Sequence, residues 1–343
     1  MIKTEIPSKV KSNLESAGIG VELFAELAGE PYLSDVEKGL AQLKATGCDM
    51  VVAVGGGSSI DTSKGIAVLA TNPVPFDRLP GAITTRKLPV VAVATTAGTG
   101  SEATRVMVIT DPDTKVKMNP GSPMILPEVA VVDPALMVGM PPAITASTGM
   151  DALTHAIEAY VSRRAQPMSD CFALKAISLV AEWLPVAWAD GANLGARSNM
   201  AIASLMAGMA FSNASTNLVH AMARPLGVYF NVPHGLANAV LLKECMEFSL
   251  PGNPSKFAEV ARAMGKNVAH LRSLEAADLS VEAVSELCRV ICVPRLSQVG
   301  VSPESLREVV GQMLRDAVAS GGVAPNPRLA NAEQIEELYL KSL

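Results

Sequence analysis

The chain has 343 residues, which is long for a single hydrophobic core and favours two domains. Its 33 acidic residues outnumber the 28 lysines and arginines, so the formal net charge is −5 and nucleic acid is not expected as a partner. Apolar residues make up 49% of the sequence and charged residues 18%, which excludes a disordered chain.

No stretch of the sequence predicts a membrane span or a secretory signal. The most apolar window, residues 124–144, contains Glu128, Asp133 and several prolines, and the N-terminus lacks an apolar signal region. We therefore expect a cytoplasmic protein with no membrane partner. The odd number of cysteines, with no CxxC pair, indicates free thiols in a reducing compartment; they are Cys48, Cys171, Cys245, Cys288 and Cys292.

The first 140 residues alternate short apolar runs with helical patterns. Continuous apolar runs between helices are typical of a parallel sheet that is covered on both faces. The sequence thus predicts an α/β domain over residues 1–140. The apolar runs are 50–54, 88–94, 105–110 and 129–132, and a helical pattern follows the first run at 58–69.

The pattern changes after Asp133-Pro134, because no convincing strand follows. Glycine and proline separate long helical patterns from there to the end of the chain. The sequence therefore predicts an all-helical domain over residues 141–343. Its predicted helices are 142–162, 167–190, 194–212, 216–226, 234–248, 280–293, 303–318 and 332–342.

The first apolar run leads into a glycine loop, Gly55-Gly56-Gly57-Ser58, and then into a helix. Glycines let a ligand approach the backbone closely, and the start of a helix presents unpaired N–H groups, an arrangement that suits a pyrophosphate. Ser58 and Asp61 also fit a helix N-cap. The spacing matches neither GxGxxG nor the Walker A loop, so a tight turn without a ligand stays open.

A second loop of small and hydroxyl residues, Thr95 to Gly100, follows the second apolar run. Loops after neighbouring parallel strands leave the same edge of a sheet. The two loops are therefore predicted to line one crevice.

The histidines suggest a metal site. Asp151 and His155 are four residues apart on a predicted helix, so both project from one face. An unbroken helix would hold His220 and His234 about 21 Å apart, but the prolines and glycine between them predict a turn that lets the two converge. Three imidazoles and one carboxylate suit a divalent transition metal. The alternative is that these are ordinary core or surface histidines, as we interpret His270.

Four motifs, in order along the chain, resemble those of the iron-containing (group III) alcohol dehydrogenases. Residues 55–64 are similar to their GGGSxxDxxK loop, and residues 95–102 to their TTAGTGSE segment. Residues 149–158 and 218–238 resemble their two metal-ligand motifs. The similarity covers nearly the whole chain.

The resemblance implies an NAD(P)-binding α/β domain with a Rossmann-like parallel sheet, an all-helical metal domain, and reversible oxidation of alcohols to aldehydes or ketones. It implies Fe²⁺ or Zn²⁺ as the metal, NAD or NADP as the cofactor, and a homo-oligomer of two or more chains. The implied metal ligands are Asp151, His155, His220 and His234. The implied cofactor contacts are Gly55, Gly56, Gly57, Ser58, Asp61, Thr95, Thr96, Thr99, Val108, Lys117 and Leu136.

The sequence departs from the family pattern at three places. Family members begin with a further β-α unit, so we expect a short form with an exposed sheet edge. Glu30-Pro31-Tyr32 stands where the family usually has Asn-Pro-Thr, and its acid either repels a phosphate, bonds a ribose hydroxyl or lies in a surface loop. Arg224 replaces a second histidine of the metal motif, as a contact to an acidic substrate or the cofactor, or as half of an ion pair.

Three functions stay open on the sequence. The first is a metal- and nicotinamide-dependent alcohol dehydrogenase acting on a small alcohol/aldehyde pair. The second keeps that chemistry for a polyol or a carboxylated carbonyl compound, with Arg224 as its support. The third is a truncated metal-binding protein without dehydrogenase activity.

Overall fold

A computed structural model describes residues 5–27, 29–114 and 116–343. The chain divides into two compact units. Unit 1 comprises Met1–Thr96 and Ser101–Met137, and unit 2 comprises Ala97–Gly100 and Val138–Leu343. The short segment 97–100 thus groups with the second unit, although it lies between two parts of the first.

Unit 1 contains a parallel three-stranded sheet in the order β1 (Val51–Gly55), β2 (Val90–Ala94), β5 (Val129–Val132). Val51 pairs with Val90 and Gly55 with Ala94, so β1 and β2 end level with each other. These strands are almost wholly valine and alanine, residues that suit a pleated, covered surface. The elements are α1 (Ile6–Ser16), α2 (Leu33–Thr46), β1 (Val51–Gly55), α3 (Gly57–Thr71), β2 (Val90–Ala94), β3 (Ile109–Thr110), β4 (Lys117–Met118) and β5 (Val129–Val132).

Helix α3 packs against β1 and β2, and α2 packs against α3. All residues of α3 from Gly65 to Leu69 are buried, and the larger aliphatic side chains among them join one core cluster. That packing fixes the start of α3 at the carboxyl end of β1. The cluster comprises Val36, Ile66, Val68, Leu69, Phe76, Leu79, Met107, Ile109 and Ile125.

Two expectations for this sheet were wrong. The apolar run 105–110 does not join the parallel sheet, since only its last two residues form a strand, and β3 pairs antiparallel with β4. The cause is the turn between them, where the Asp111 carboxylate accepts a hydrogen bond of 2.9 Å from the Asp113 amide and the chain reverses. In addition, β5 is not covered on both faces, because Val129 is 48% and Val131 37% exposed.

Unit 2 is helical, and its described residues form no strand. The predicted α/β-then-helical fold class is confirmed. The prediction missed the helix α9 (Pro254–Ala263), and α10 (Ser273–Val290) begins seven residues before the predicted start at 280. The helices are α4 (Pro142–Val161), α5 (Pro167–Ala189), α6 (Leu194–Asn213), α7 (Leu218–Phe230), α8 (His234–Ser249), α9 (Pro254–Ala263), α10 (Ser273–Val290), α11 (Pro303–Ala319) and α12 (Ala332–Lys341).

Helix α4 is the central helix of unit 2, in contact with α5, α6 and α8. Every residue from Gly149 to Val161 is buried. Close approach to α5 requires a glycine at 149, since an added Cβ would lie 2.4 Å from a methyl carbon of Leu184. The polar residues of α4 are therefore held inside the unit, where each needs a partner.

Among the residues that the structure describes, one helix, α5, is long and apolar enough to cross a membrane by length and composition alone. Its 18-residue window has a mean hydropathy of 1.4, and 39% of that window is buried in the fold. The most apolar candidate is therefore α5 rather than the stretch 124–144 chosen from the sequence. The core helix of a soluble protein passes the same test, and α5 packs along both α4 and α6.

Candidate functional site

The glycine loop of unit 1 begins where β1 ends, and Gly56 is the residue before α3. An added Cβ on Gly56 would lie 2.9 Å from the Thr96 hydroxyl oxygen. Gly56 therefore makes room for the second loop, which follows the paired strand β2. The first residues of α3 present backbone N–H groups beside this contact, as an anion site requires.

Asp61 and Lys64 connect α3 to the chain that follows the second loop. The Asp61 carboxylate accepts a hydrogen bond of 2.9 Å from the Val108 amide and a short one from the Ser101 hydroxyl. The Lys64 ammonium is fully buried and donates to Ser101, Thr104 and the Val106 carbonyl at 2.9–3.0 Å. Burial lowers the pKa of Lys64, and Asp61 counteracts part of this shift.

Two of the predicted cofactor contacts, Asp61 and Lys117, already have partners within unit 1. Asp61 holds the backbone of Val108 against α3, so its carboxylate is already engaged within unit 1. Lys117 forms an ion pair with Glu30 at 2.9 Å. The sequence left three interpretations open for Glu30. The structure adds a fourth, because the carboxylate of Glu30 neutralises Lys117. Leu136 and Val108 are both partly buried in unit 1, whereas Thr99 belongs to unit 2.

In unit 2, three helices bring their polar side chains to one point. Asp151 on α4, His220 on α7 and His234 on α8 offer ligand atoms that all lie within 4.8 Å of one another. The Nε2 atoms of His220 and His234 are 3.5 Å and 3.8 Å from Asp151 Oδ1. Asp151 and His220 are buried, while the side chain of His234 is 34% exposed and leaves an open side.

The turn between α7 and α8 produces this convergence. Helix α7 ends at Phe230, and Asn231 adopts a left-handed backbone with φ of 57°. Pro233 then precedes the first residue of α8, His234. The reversal places the rings of His220 and His234 5.4 Å apart, far closer than a continuous helix allows. Residue Gly235 lets α8 approach α4, since an added Cβ would lie 2.3 Å from the Ser147 carbonyl oxygen.

His155 lies beside this group but is not one of the three converging residues. Its Nδ1 is 3.9 Å from Asp151 Oδ1, and its ring stacks between those of Phe211 and His220. That nitrogen is buried and has no hydrogen-bond partner. A buried nitrogen without a partner is costly, and a cation between it and Asp151 would satisfy it.

Two residues that the sequence analysis did not select complete the centre. Glu158 accepts a hydrogen bond of 2.6 Å from His220 Nδ1, which leaves Nε2 directed at Asp151. Asn238 donates a bond of 2.7 Å to Asp151 from an amide nitrogen that lies 3.2–3.3 Å from Nε2 of His220 and His234. The sequence could have indicated both residues by their spacing. Glu158 follows His155 by three residues and Asn238 follows His234 by four, so each lies on the same helix face as a selected histidine.

The charges of the centre act against the cost of burial. Burial raises the pKa of Asp151, but the surrounding histidines outweigh this and the pKa lies well below its usual value. Burial lowers the pKa of His155 to about 4, so this imidazole is neutral near pH 7. His220 behaves in the opposite way, because Glu158 and Asp151 overcome the effect of burial and raise its pKa to about 9.

The donor set fits a divalent transition metal. One carboxylate oxygen and imidazole nitrogens are the ligands that Fe²⁺ and Zn²⁺ accept in proteins, and Mg²⁺ or Ca²⁺ would prefer oxygen alone. The unsatisfied nitrogen of His155 supports the same conclusion. Glu158 behind His220 is the carboxylate–histidine arrangement that commonly supports a metal ligand.

Comparison with known proteins agrees with this geometry. The profile of iron-containing alcohol dehydrogenases matches residues 1–134, and that of the C-terminal part of the same family matches residues 145–343. The chain belongs to the iron-containing alcohol dehydrogenase family. It is an oxidoreductase that transfers a hydride between a nicotinamide cofactor and an alcohol/aldehyde pair.

Relatives of this dehydrogenase are similar over almost its whole length. The 1,3-propanediol dehydrogenase of Klebsiella pneumoniae is 44% identical over 98% of this chain and 87% of its own. The NAD-dependent methanol dehydrogenase of Bacillus methanolicus is 37% identical over 99% of this chain and 89% of its own. The crystal structure of a 1,3-propanediol oxidoreductase superposes with a TM-score of 0.96 at 42% identity, over 100% of this chain and 90% of that one.

Proposed function

We propose that this dehydrogenase binds its metal, Fe²⁺ or Zn²⁺, through Asp151, His155, His220 and His234. The observation that carries the proposal is the convergence of three of these side chains from three helices to within 4.8 Å. His155 is included because its buried Nδ1 faces Asp151 and lacks a partner. Glu158 and Asn238 hold this set in place from behind.

The cofactor of the proposal is NAD, bound in unit 1, the proposed dinucleotide-binding domain. The N–H groups at the start of α3 and the glycines at 55–57 suit its pyrophosphate. The second loop contributes Thr95 and Thr96, and Thr99 belongs to the same motif. The relative named as NAD-dependent supports NAD.

When bound, the metal polarises the alcohol or carbonyl oxygen, and the nicotinamide exchanges a hydride with the adjacent carbon. The chain's own residues hold and orient the metal ligands. Glu158 keeps the Nδ1 proton of His220, so that Nε2 stays available as a ligand. The partly exposed side of His234 is the side from which a substrate can enter. Because the named relatives act on short alcohols, a short aliphatic substrate is proposed.

Self-association and a cytoplasmic location are part of the proposal. The β5 edge of unit 1 exposes Val129 and Val131, and exposed apolar edge strands favour pairing with another chain. All five cysteines are free thiols, as in a reducing compartment. Light scattering after size exclusion would measure the assembly, and a monomer at micromolar concentration would refute this part.

The first experiment titrates NADH and NADPH, by fluorescence, into the protein loaded with Fe²⁺ or Zn²⁺. We expect saturable binding with preference for NADH and, when NAD⁺ is supplied instead, oxidation of short alcohols. The variant His220→Ala should lose bound metal and activity but keep NADH binding, and Gly56→Val should do the reverse, because its side chain would displace Thr96. Metal retained without any nucleotide binding would refute the dehydrogenase and favour a metal-binding protein.

A further inference from the structure

From the surroundings of Arg224 we infer that this side chain recognises an anionic group, a carboxylate in the simplest case, on the substrate. The inference rests on the proposed function, since it names the class of alcohol or aldehyde that unit 2 accepts. Arg224 lies on α7, four residues after His220, and is partly buried.

The guanidinium of Arg224 has no hydrogen-bond acceptor and no carboxylate within 4 Å among the residues that the structure describes. Arg197 on α6 shows how the same unit treats a structural arginine. Its buried guanidinium donates to the Gly191 carbonyl, the Thr145 hydroxyl and the Met140 carbonyl at 2.8–2.9 Å. Arg224 lacks such a set, so its five donors are left for a partner from outside the chain.

One carboxylate, Glu158, acts electrostatically on Arg224 but forms no ion pair with it among the described residues. Glu158 attracts Arg224 electrostatically, but its oxygens already accept bonds from the Asn217 amide, the Val219 amide and His220 Nδ1 at 2.6–2.8 Å. Burial accordingly lowers the pKa of Arg224, and Glu158 offsets only part of that effect. The ion pair that the sequence left open for Arg224 is therefore absent from the described residues.

Position connects this cation to the reacting centre. Residues four apart on a helix lie on one face, separated by about one turn of 5.4 Å. A metal dication bound through His220 would add a second positive charge on that face. Two cations in a partly dry environment attract an anion, and a guanidinium binds a carboxylate with two parallel hydrogen bonds. 4-Oxobutanoate, which carries a carboxylate two methylene groups from its aldehyde carbon, serves as the probe of this arrangement.

The kinetic test compares two aldehydes of equal chain length, 4-oxobutanoate and butanal, on the metal-loaded protein with saturating NADH. The measured quantity is the ratio of their kcat/KM values. We expect this ratio to fall at least tenfold in Arg224→Met and to recover in part in Arg224→Lys. The matched control Arg307→Met, on an exposed position of α11, should keep the original ratio. A ratio that is unchanged in Arg224→Met would overturn the inference.

A binding measurement decides the question independently of catalysis. Calorimetric titration compares the binding of 4-hydroxybutanoate and of the neutral 1-butanol to the metal-loaded protein. In Arg224→Met, 4-hydroxybutanoate should bind at least tenfold more weakly than to the parent protein, whereas the affinity for 1-butanol should not change. If 4-hydroxybutanoate binds the parent protein and Arg224→Met with equal affinity, the inference is overturned. It is also overturned if the variant loses affinity for NADH instead, since Arg224 would then bind the cofactor. If both aldehydes fail to react, the dehydrogenase proposal fails, whereas this titration still decides the role of Arg224.

Stability separates recognition from a structural role. Removal of a structural arginine breaks bonds and lowers the melting temperature, as expected for Arg197→Met. Arg224 makes no such bonds, and an uncompensated cation destabilises the fold around it. The melting temperature of metal-free Arg224→Met should therefore equal or exceed that of the parent protein. A fall like that of Arg197→Met would contradict the assignment.

Discussion

Glu158 shows how much a single buried side chain organises in this protein. One oxygen accepts the Val219 amide, the other accepts the Asn217 amide and the His220 ring proton, and all three donors lie at the start of α7 or just before it. The backbone carbonyl of Glu158 also accepts a bond of 2.7 Å from the Asn217 side chain. The residue thus joins α4 to α7 and sets the orientation of a proposed metal ligand.

We expect Glu158→Gln to weaken metal binding by about 10–100-fold, the usual effect of losing a carboxylate behind a ligating histidine. The amide keeps the shape but lacks the charge that directs the His220 ring. Competition with a chelator measures the affinity, and Glu182→Gln on an exposed position of α5 is the control. A structural role alone would lower the melting temperature without changing metal affinity. Unaltered NADH binding would locate the defect in unit 2.

At the scale of elements, glycine pairs decide which segments can touch. Gly100 has a φ of 60°, and its carbonyl oxygen lies 2.6 Å from where a Cβ on Gly208 would stand. This contact fixes the segment 97–100 on α6, and it explains why that segment groups with unit 2. A larger residue on either side would force the two backbones apart.

Gly208→Ala should destabilise unit 2 by about 1–3 kcal/mol, as expected when atoms are added to a closely packed contact. Gly195→Ala on the same helix is the matched control, because its added Cβ has only one neighbour, at 3.4 Å, and alanine favours helix. Urea denaturation measures both variants. A destabilisation of equal size in the control would contradict the packing argument.

A second element-scale contact joins the chain before β2 to the chain before β5. The buried Lys87 ammonium lies 2.5 Å from Glu128, and the same carboxylate oxygen accepts the Val90 amide at 2.7 Å. Burial raises the pKa of Glu128, but these two donors outweigh it and the pKa lies below its ordinary value.

A carboxyl group whose pKa is lower in the folded state stabilises the fold above the unfolded pKa, about 4.3 for glutamate, and loses that effect as the pH falls. The free energy of unfolding should therefore fall between pH 6 and pH 3 more steeply in the parent protein than in Glu128→Gln. At pH 7 the variant should be less stable by about 2 kcal/mol, since Lys87 stays buried without its anion. Parallel pH profiles would contradict this, and Glu37→Gln on an exposed position of α2 is the control.

At the scale of the whole molecule, the proposed metal ligands all belong to one of the two units. A ligand that binds only the folded state stabilises it by about 2.7 kcal/mol at a concentration 100 times its Kd. Removing the metal should therefore weaken unit 2 selectively.

Hydrogen exchange before and after chelation tests this expectation. Amides in α4, α7 and α8 should lose protection when the metal is removed, and those in β1, β2 and α3 should not. Restoring the metal should restore the protection. Uniform loss over both units would show that they unfold together, and no loss in α4, α7 and α8 would refute the proposed ligands.

The fold class follows from local sequence patterns, because the valine-rich runs and the long helical patterns differ in period and length. The sequence also selected Asp151, His155, His220 and His234, since their spacing and the Asn231-to-Pro233 turn are local features. Whether those side chains meet depended on packing, in particular on the glycines that let α4 lie centrally and α8 approach it.

Tertiary structure alone decided the partners. Nothing local shows that Glu158 bonds His220, that Asp61 is engaged by Val108, or that Arg224 lacks an anion, since these contacts or their absence depend on residues 47 to 66 positions away. The same holds for the run 105–110, whose apolar residues fit a parallel strand until the Asp111 turn pairs it with β4. Local periodicity indicates which face of a segment is buried. The hydrogen bonds and ion pairs of that face depend on which residues pack against it.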